Sequence, residues 1–194
     1  ITHLYPSVAE VIQVIGASSV LNKWAANIGA RDGVSHNDEI FELYDNLGYT
    51  GVAVEADAAF KETLKGNLPE HVKTVMEFAT PDTIARILHE SAAPLELDVF
   101  KLDIDGYDCD VMEAVLRAGF RPKLIFMEVN PWIPPPFSWA MKYVSHKSKF
   151  NPFNIGQADA LIGCSLQYAH KTVSGFGYVL IAMRGYHDKN ASGI

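Results

Sequence analysis

The chain has 194 residues, a length that suits one domain with a sizeable core, and its 48% hydrophobic and 20% charged residues are ordinary for a soluble globular fold. Its net charge of −7, with basic residues scattered apart from Lys142, His146, Lys147 and Lys149, argues against nucleic acid as a partner, and no apolar run approaches the roughly 20 residues of a membrane span. Cys109 and Cys164 lack metal-ligand spacing and read as reduced thiols of a cytoplasmic protein, while the start at Ile1, with no basic-then-apolar leader, fits an excised domain.

Strand and helix signals alternate, which predicts parallel βαβ units. Residues 7–15 (SVAEVIQVI) have helical apolar spacing behind Pro6, and Val20 to Ala26 form the first strand. Asn37 to Leu47 make a helix with Ile40, Phe41, Leu43 and Tyr44 apolar and Gly48 closing it. Tyr49 to Val54 is the second strand, Ala58 to Leu68 a helix, and Val72 to Phe78 the third strand. Thr80-Pro81 opens a helix to His89; Leu97 to Ile104 is the fourth strand, Cys109 to Ala118 a helix closed by Gly119, and Lys123 to Val129 the fifth strand. From Asn130 to about Asp159 the period breaks in a segment rich in proline and aromatics, an ordered excursion or lid. A helix from Ala158 to about Val173 and a sixth strand, Tyr178 to Met183, follow, and His187 to Ile194 begin a seventh strand that is cut short. The whole chain, 1–194, reads as a single Rossmann-like, doubly wound α/β domain with a mostly parallel sheet.

Ligands of such sheets bind beyond the carboxyl ends of the strands, so the residues placed there carry the functional reading. After the first strand come Asn27, Gly29, Asp32 and Gly33; Gly29 allows close backbone approach to a ligand and Gly33 suits a tight turn before the helix. A carboxylate at Asp32 repels a pyrophosphate but pairs with an ammonium, which favours an amino-acid-bearing nucleoside such as S-adenosylmethionine over a dinucleotide. Glu55 and Ala56, with Asp57, end the second strand about 20 residues on, where an acid accepts two hydrogen bonds from a ribose diol. The third strand offers Phe78 and Ala79 as walls for an adenine, Phe78 serving equally well as a core aromatic. Asp103 and Asp105 end the fourth strand and project the same way if extension persists, and Glu128 and Asn130 end the fifth. These three acids can form a general-base site or hold a divalent cation; the plainer alternative has one capping the helix near Asp108 and another pairing with Lys101 or Arg121. Trp132, Phe137 and Trp139, around the Pro134-Pro135-Pro136 run, serve as packing or as walls of an acceptor pocket, and His36, His146 and His170 are too scattered to form a metal set.

The segments from Val99 (VFKLDIDGYDCDVMEAVL) and Lys123 (KLIFMEVNP) resemble the FkbM-like branch of the class I S-adenosylmethionine-dependent methyltransferases, with Lys101-Leu102-Asp103-Ile104-Asp105-Gly106 as the signature and Asp105 in place of the usual Glu. The likeness extends back through residues 27–33 and 55–57 and forward to Gly163-Cys164-Ser165-Leu166. It implies methyl transfer from S-adenosylmethionine to a hydroxyl of a small-molecule or sugar-like acceptor. In that reading Asp103, Asp105 and Glu128 are catalytic and no metal takes part. Asn27, Gly29, Asp32, Gly33, Glu55, Ala56, Phe78, Ala79 and Asp103 hold the cofactor, and Asn130, Trp132 and Phe137 the acceptor. The rivals are a non-catalytic S-adenosylmethionine-binding or interaction domain and a nicotinamide-dependent oxidoreductase.

Overall fold

A computed structural model describes residues 6–35, 38–144 and 162–183. A capping box starts the first helix, α1 (Val8–Gly16): Glu10 N donates to Ser7 Oγ at 3.0 Å and Ser7 N to Glu10 Oε2 at 2.6 Å. Five strands, β1 (Trp24–Ile28), β2 (Thr50–Glu55), β3 (Val72–Met76), β4 (Val99–Leu102) and β5 (Leu124–Met127), form one all-parallel sheet in the order β3-β2-β1-β4-β5. The connecting helices are α2 (Phe41–Asp45), α3 (Lys61–Asn67), α4 (Ile84–Glu90) and α5 (Asp108–Arg117), with α6 (Leu166–Ser174) after the excursion.

Alternation along the strands divides the core in two. Ala25, Ala53, Val99 and Leu124 point to one face and pack with Val8 and Ile12 of α1, Leu43 and Tyr44 of α2 and Leu64 of α3. Ala26, Ile28, Val52, Val54, Phe100 and Leu102 point to the other, against Ile84, Ile87 and Leu88 of α4 and Val111, Met112, Val115 and Leu116 of α5. Every residue of β1 is buried, as expected where helices cover both faces of a parallel sheet. The buried Tyr44 hydroxyl donates to Ala25 O and Val52 O, so α2 is fastened to the backbones of both β1 and β2. The expected doubly wound α/β architecture is thus present.

Two expectations fail. Tyr178 to Met183 is not a strand: its apolar residues suit one, but a strand needs a ladder partner, and none of the described residues pairs with it. Val179, Leu180 and Ile181 are exposed there, while the Tyr178 hydroxyl donates to Pro122 O at 2.8 Å. The seventh strand expected at 187–194 lies outside the described residues. The cysteines are not free thiols either, because Cys109 and Cys164 form a disulfide with their Cα atoms 6.1 Å apart. They are 55 residues apart in sequence, and only the return of the chain after the excursion places them together.

Candidate active site at the carboxyl edge

The chain winds outward from β1 through β2 to β3, then crosses back to β4 and β5, so the winding reverses between β1 and β4. Register aligns Asn27 with Ala53 on one side and with Lys101 on the other, and Lys101 with Phe126. Two residues further along each outer strand, on the same face, stand Glu55, Asp103 and Glu128. The ladder continues far enough to hold the last two, with Asp103 N donating to Ile28 O at 3.0 Å and Glu128 N to Leu102 O at 3.1 Å.

On the β4 and β5 side the acids meet one another. One carboxylate oxygen from each of Asp103, Asp105 and Glu128 lies within 4.8 Å of the others. Extension does not persist to Asp105, which has a left-handed φ of 52°. That conformation costs a non-glycine residue about 1 kcal/mol, and here the turn keeps its carboxylate in the cluster. Asp108 holds the turn from beneath: its fully buried carboxylate accepts from Ile104 N and Gly106 N, both at 3.0 Å. Burial raises the Asp108 carboxyl to about 6 despite those two bonds. Glu128, whose side chain still reaches solvent at the edge, is raised to about 8 by partial desolvation, then by the charges of Asp103 and Asp105 and by its hydrogen bond with Asp103. At neutral pH one proton is therefore shared across the hydrogen-bonded Glu128–Asp103 pair. Desolvation and the Asp103 charge also raise Asp105, against the pull of Arg31 and Lys101. The buried Lys101 ammonium donates to Gly29 O at 2.8 Å and lies 3.8 Å from Asp103 Oδ2, so only part of its charge relieves the cluster. The same three carboxylates are spaced to accept a hard cation.

On the β1 and β2 side the acids are occupied by backbone. Glu55 is buried, and its two oxygens accept from Arg31 N at 2.8 Å and Asp57 N at 2.7 Å, bracing the loops after β1 and β2. Asp32 folds onto its own loop, accepting from Val34 N at 3.2 Å, from Ser35 N at 2.8 Å and from the Ser35 hydroxyl. Desolvation pushes its carboxyl upward, but these hydrogen bonds and the Arg31 charge together leave it below the usual value. Asn27 is fully buried with its amide nitrogen on Asp38 Oδ2 at 2.8 Å, and its carbonyl oxygen has no hydrogen-bond partner among the described residues. Gly29 does permit a close approach, but of protein: a Cβ there would lie 1.7 Å from Asp103 O. A Cβ on Gly33, also at positive φ, would press on Leu64 and Leu68. Ala56 is half-buried beside Glu55, Phe78 is exposed at the end of β3, and Ala79 is buried in the core.

The acceptor-side residues separate as well. Asn130 is buried and used twice, donating to Ile162 O at 2.8 Å and accepting from Trp132 N at 2.8 Å. Trp132 and Phe137 are exposed, at 77% and 65%. His170 is exposed on α6, whereas His36 and His146 lie outside the described residues. A groove of about 440 Å³ between α5 and α6 is lined by Arg117, Tyr168, Lys171 and Phe176, but Arg117 is already paired with Glu113 at 2.6 Å.

Sequence reasoning missed three contributors. Arg31, at a φ of 50°, presents its N–H to Glu55 and its charge to Asp105; a non-glycine left-handed residue leaves no mark in the sequence. Asp38 pairs with Asn27, and Asp108 holds the acid turn. The Asp-Gly at 105–106 followed by an acid two residues on was the available signal for the last of these. Compared with models of known families and with curated proteins, the sequence matches none.

Proposed function

We propose that the chain binds S-adenosylmethionine at the carboxyl edge and transfers its methyl group to a hydroxyl of a small-molecule or sugar-like acceptor. The observation that carries this reading is the convergence of Asp103, Asp105 and Glu128 at the ends of β4 and β5, where they raise the proton affinity of Glu128. The resemblance of residues 99–131 to FkbM-like methyltransferases supports the choice of reaction. The donor set suits the cofactor, since the edge presents three crowded carboxylates to a ligand that is cationic at sulfur and nitrogen. When bound, S-adenosylmethionine supplies a methyl group already activated by the positive sulfur.

Glu128 then has the task of removing the acceptor proton. A base with a pKa near the working pH is both ionised often enough and basic enough to take a proton from a hydroxyl. Desolvation, and after it the charges of Asp103 and Asp105, create that basicity, and Asp108 fixes the turn that holds Asp105 in place. With the cofactor bound, Glu128 would accept the proton of the acceptor hydroxyl as that oxygen takes up the methyl group. Asp32 is a poor partner for the cofactor ammonium while Ser35 and Val34 occupy it, so that role falls to the acid cluster. Glu55 retains one lone pair on each oxygen for a ribose diol beyond the two backbone N–H groups it serves.

The internal satisfaction of Glu55 and Asn130 favours one second reading, an interaction domain without catalysis, because both side chains already have structural work. Calorimetric titration with S-adenosylhomocysteine and with NAD, followed by a methyl-transfer assay over candidate hydroxyl acceptors, separates these readings. Binding of S-adenosylhomocysteine with turnover that survives chelator is the expected result. Binding without turnover on any acceptor selects the interaction domain, binding of NAD alone overturns both, and activity lost to chelator and restored by Mg²⁺ overturns the metal-free mechanism.

A further inference from the structure

Three consecutive residues in the first turn of α5 hold three different segments. Asp108 accepts from Ile104 N and Gly106 N and so fixes the acid turn. Cys109 is covalently joined to Cys164. Asp110 takes Tyr143 N at 2.8 Å on one oxygen and Lys142 Nζ at 2.6 Å on the other, with the rings of Tyr107 and Tyr143 meeting edge-on 5.0 Å apart.

The segments held by Cys109 and Asp110 are zipped to each other. Asn130 N donates to Cys164 O at 2.8 Å, Met141 N to Gly163 O at 2.9 Å and Ser165 N to Trp139 O at 2.9 Å, while Trp139 N reaches the Ser165 hydroxyl at 3.0 Å. Residues 130–144 thus form a strap that leaves the sheet two residues after Glu128, runs along 162–165 and ends on α5. Among the described residues, a small apolar cluster backs it. Cys109, Cys164 and Ala169 are buried around the disulfide, Met127, Val129, Ala140 and Tyr168 pack at the margin, and Met127 also touches one of the two main cores. Within this cluster the disulfide is the covalent link, joining α5 to the segment beside which the strap runs.

We propose that the Cys109–Cys164 disulfide is a positioning tie that registers the 130–144 strap against the acid turn, so that the acceptor side of the edge has its geometry only in the oxidised chain. Both sulfurs are buried, at 1% and 0% exposure, which keeps soluble reductants away and makes the bond a permanent staple rather than a switch. Such a bond forms and persists in an oxidising compartment, contrary to the reduced-thiol reading of the sequence. The role given to the strap rests on the acceptor-side reading above, but the tie itself is testable without it.

Hydrogen exchange on the oxidised chain and on the Cys109→Ala, Cys164→Ala pair reads it directly. The expected result is a disulfide in the non-reduced parent by peptide mass mapping, with exchange at Asn130, Met141 and Ser165 at least about ten-fold faster in the variant and the amides of β1 and β2 unchanged. Free thiols in the parent, or a strap protected equally in both forms, overturns the proposal. If the pair loses its sheet, Asp110→Asn in the oxidised chain decides: exchange rising at Tyr143 but not at Asn130 or Ser165 leaves the disulfide as the tie, and equal loosening at all three overturns it. Affinity for S-adenosylhomocysteine, measured in parallel, is expected to agree within about two-fold between the forms, and an absence of binding in both would fail the proposed function while leaving the exchange result to judge the tie.

Discussion

The two halves of the carboxyl edge use acids in opposite ways. At the ends of β1 and β2, Asp32 and Glu55 accept from backbone N–H groups, and each has become a brace for a loop. At the ends of β4 and β5, Asp103, Asp105 and Glu128 face one another with the buried Lys101 between them and the β1 loop, and the crowding is relieved by keeping a proton. An acid at a strand end is thus a structural part where backbone donors converge on it and a chemical one where other acids do. Position along the strand does not separate the two cases; the turns that follow do.

The largest expected effect breaks the comparison at its reactive end. Glu128→Gln removes the proton acceptor with little change of shape, and turnover is expected to fall by about 10²–10⁴-fold while the sheet's circular dichroism stays as in the parent. Full activity in that variant would move the base elsewhere. At the braced end the same kind of change should be felt in stability instead. Glu55→Ala leaves Arg31 N and Asp57 N without their acceptor, for an expected loss of about 1–3 kcal/mol by denaturant unfolding. Unchanged stability would mean that Glu55 is no brace.

Smaller shifts sharpen the contrast. Asp103→Asn removes the nearest negative charge and the carboxylate that accepts from Glu128, so the pH midpoint of turnover should move down from about 8. An unmoved midpoint would show that burial alone sets it. Stability against pH supplies the weakest signal. The folded-state value of Glu128 lies above its ordinary 4.5, so its contribution is fully present below about 4.5 and is lost as pH rises through about 8. Parent and Glu128→Gln unfolding midpoints should therefore diverge between those limits, the parent losing more stability than the variant as pH rises, since the raised Asp108 and Asp105 carboxyls contribute alike to both. Parallel curves across that range would contradict the sign.

How much of this was legible in the sequence follows from the range of the interactions. The parallel sheet and its helices came from apolar runs and their punctuation, which are local, and the acids at 103 and 128 were placed by counting along strands, whereas Asp105 reaches the cluster through a left-handed turn that counting does not show. The occupation of Asp32 and Glu55 was not legible, because it depends on a left-handed Arg31 and on a loop that curls onto Ser35. The Cys109–Cys164 bond was hidden by the 55 residues between its ends, which composition interpreted as two unrelated thiols. Tyr178 to Met183 misled in the other direction, since apolarity alone predicts a strand and pairing is what makes one.

The central claim is that the acids of β4 and β5 share a proton, and the titration of the Glu128 carboxyl carbon by NMR in isotopically labelled protein tests it most directly. A midpoint near 8, falling when Asp103 is replaced by asparagine, is the predicted result. A midpoint at the ordinary 4.5 would contradict it, leaving three independently ionised acids at the edge and no base poised for transfer.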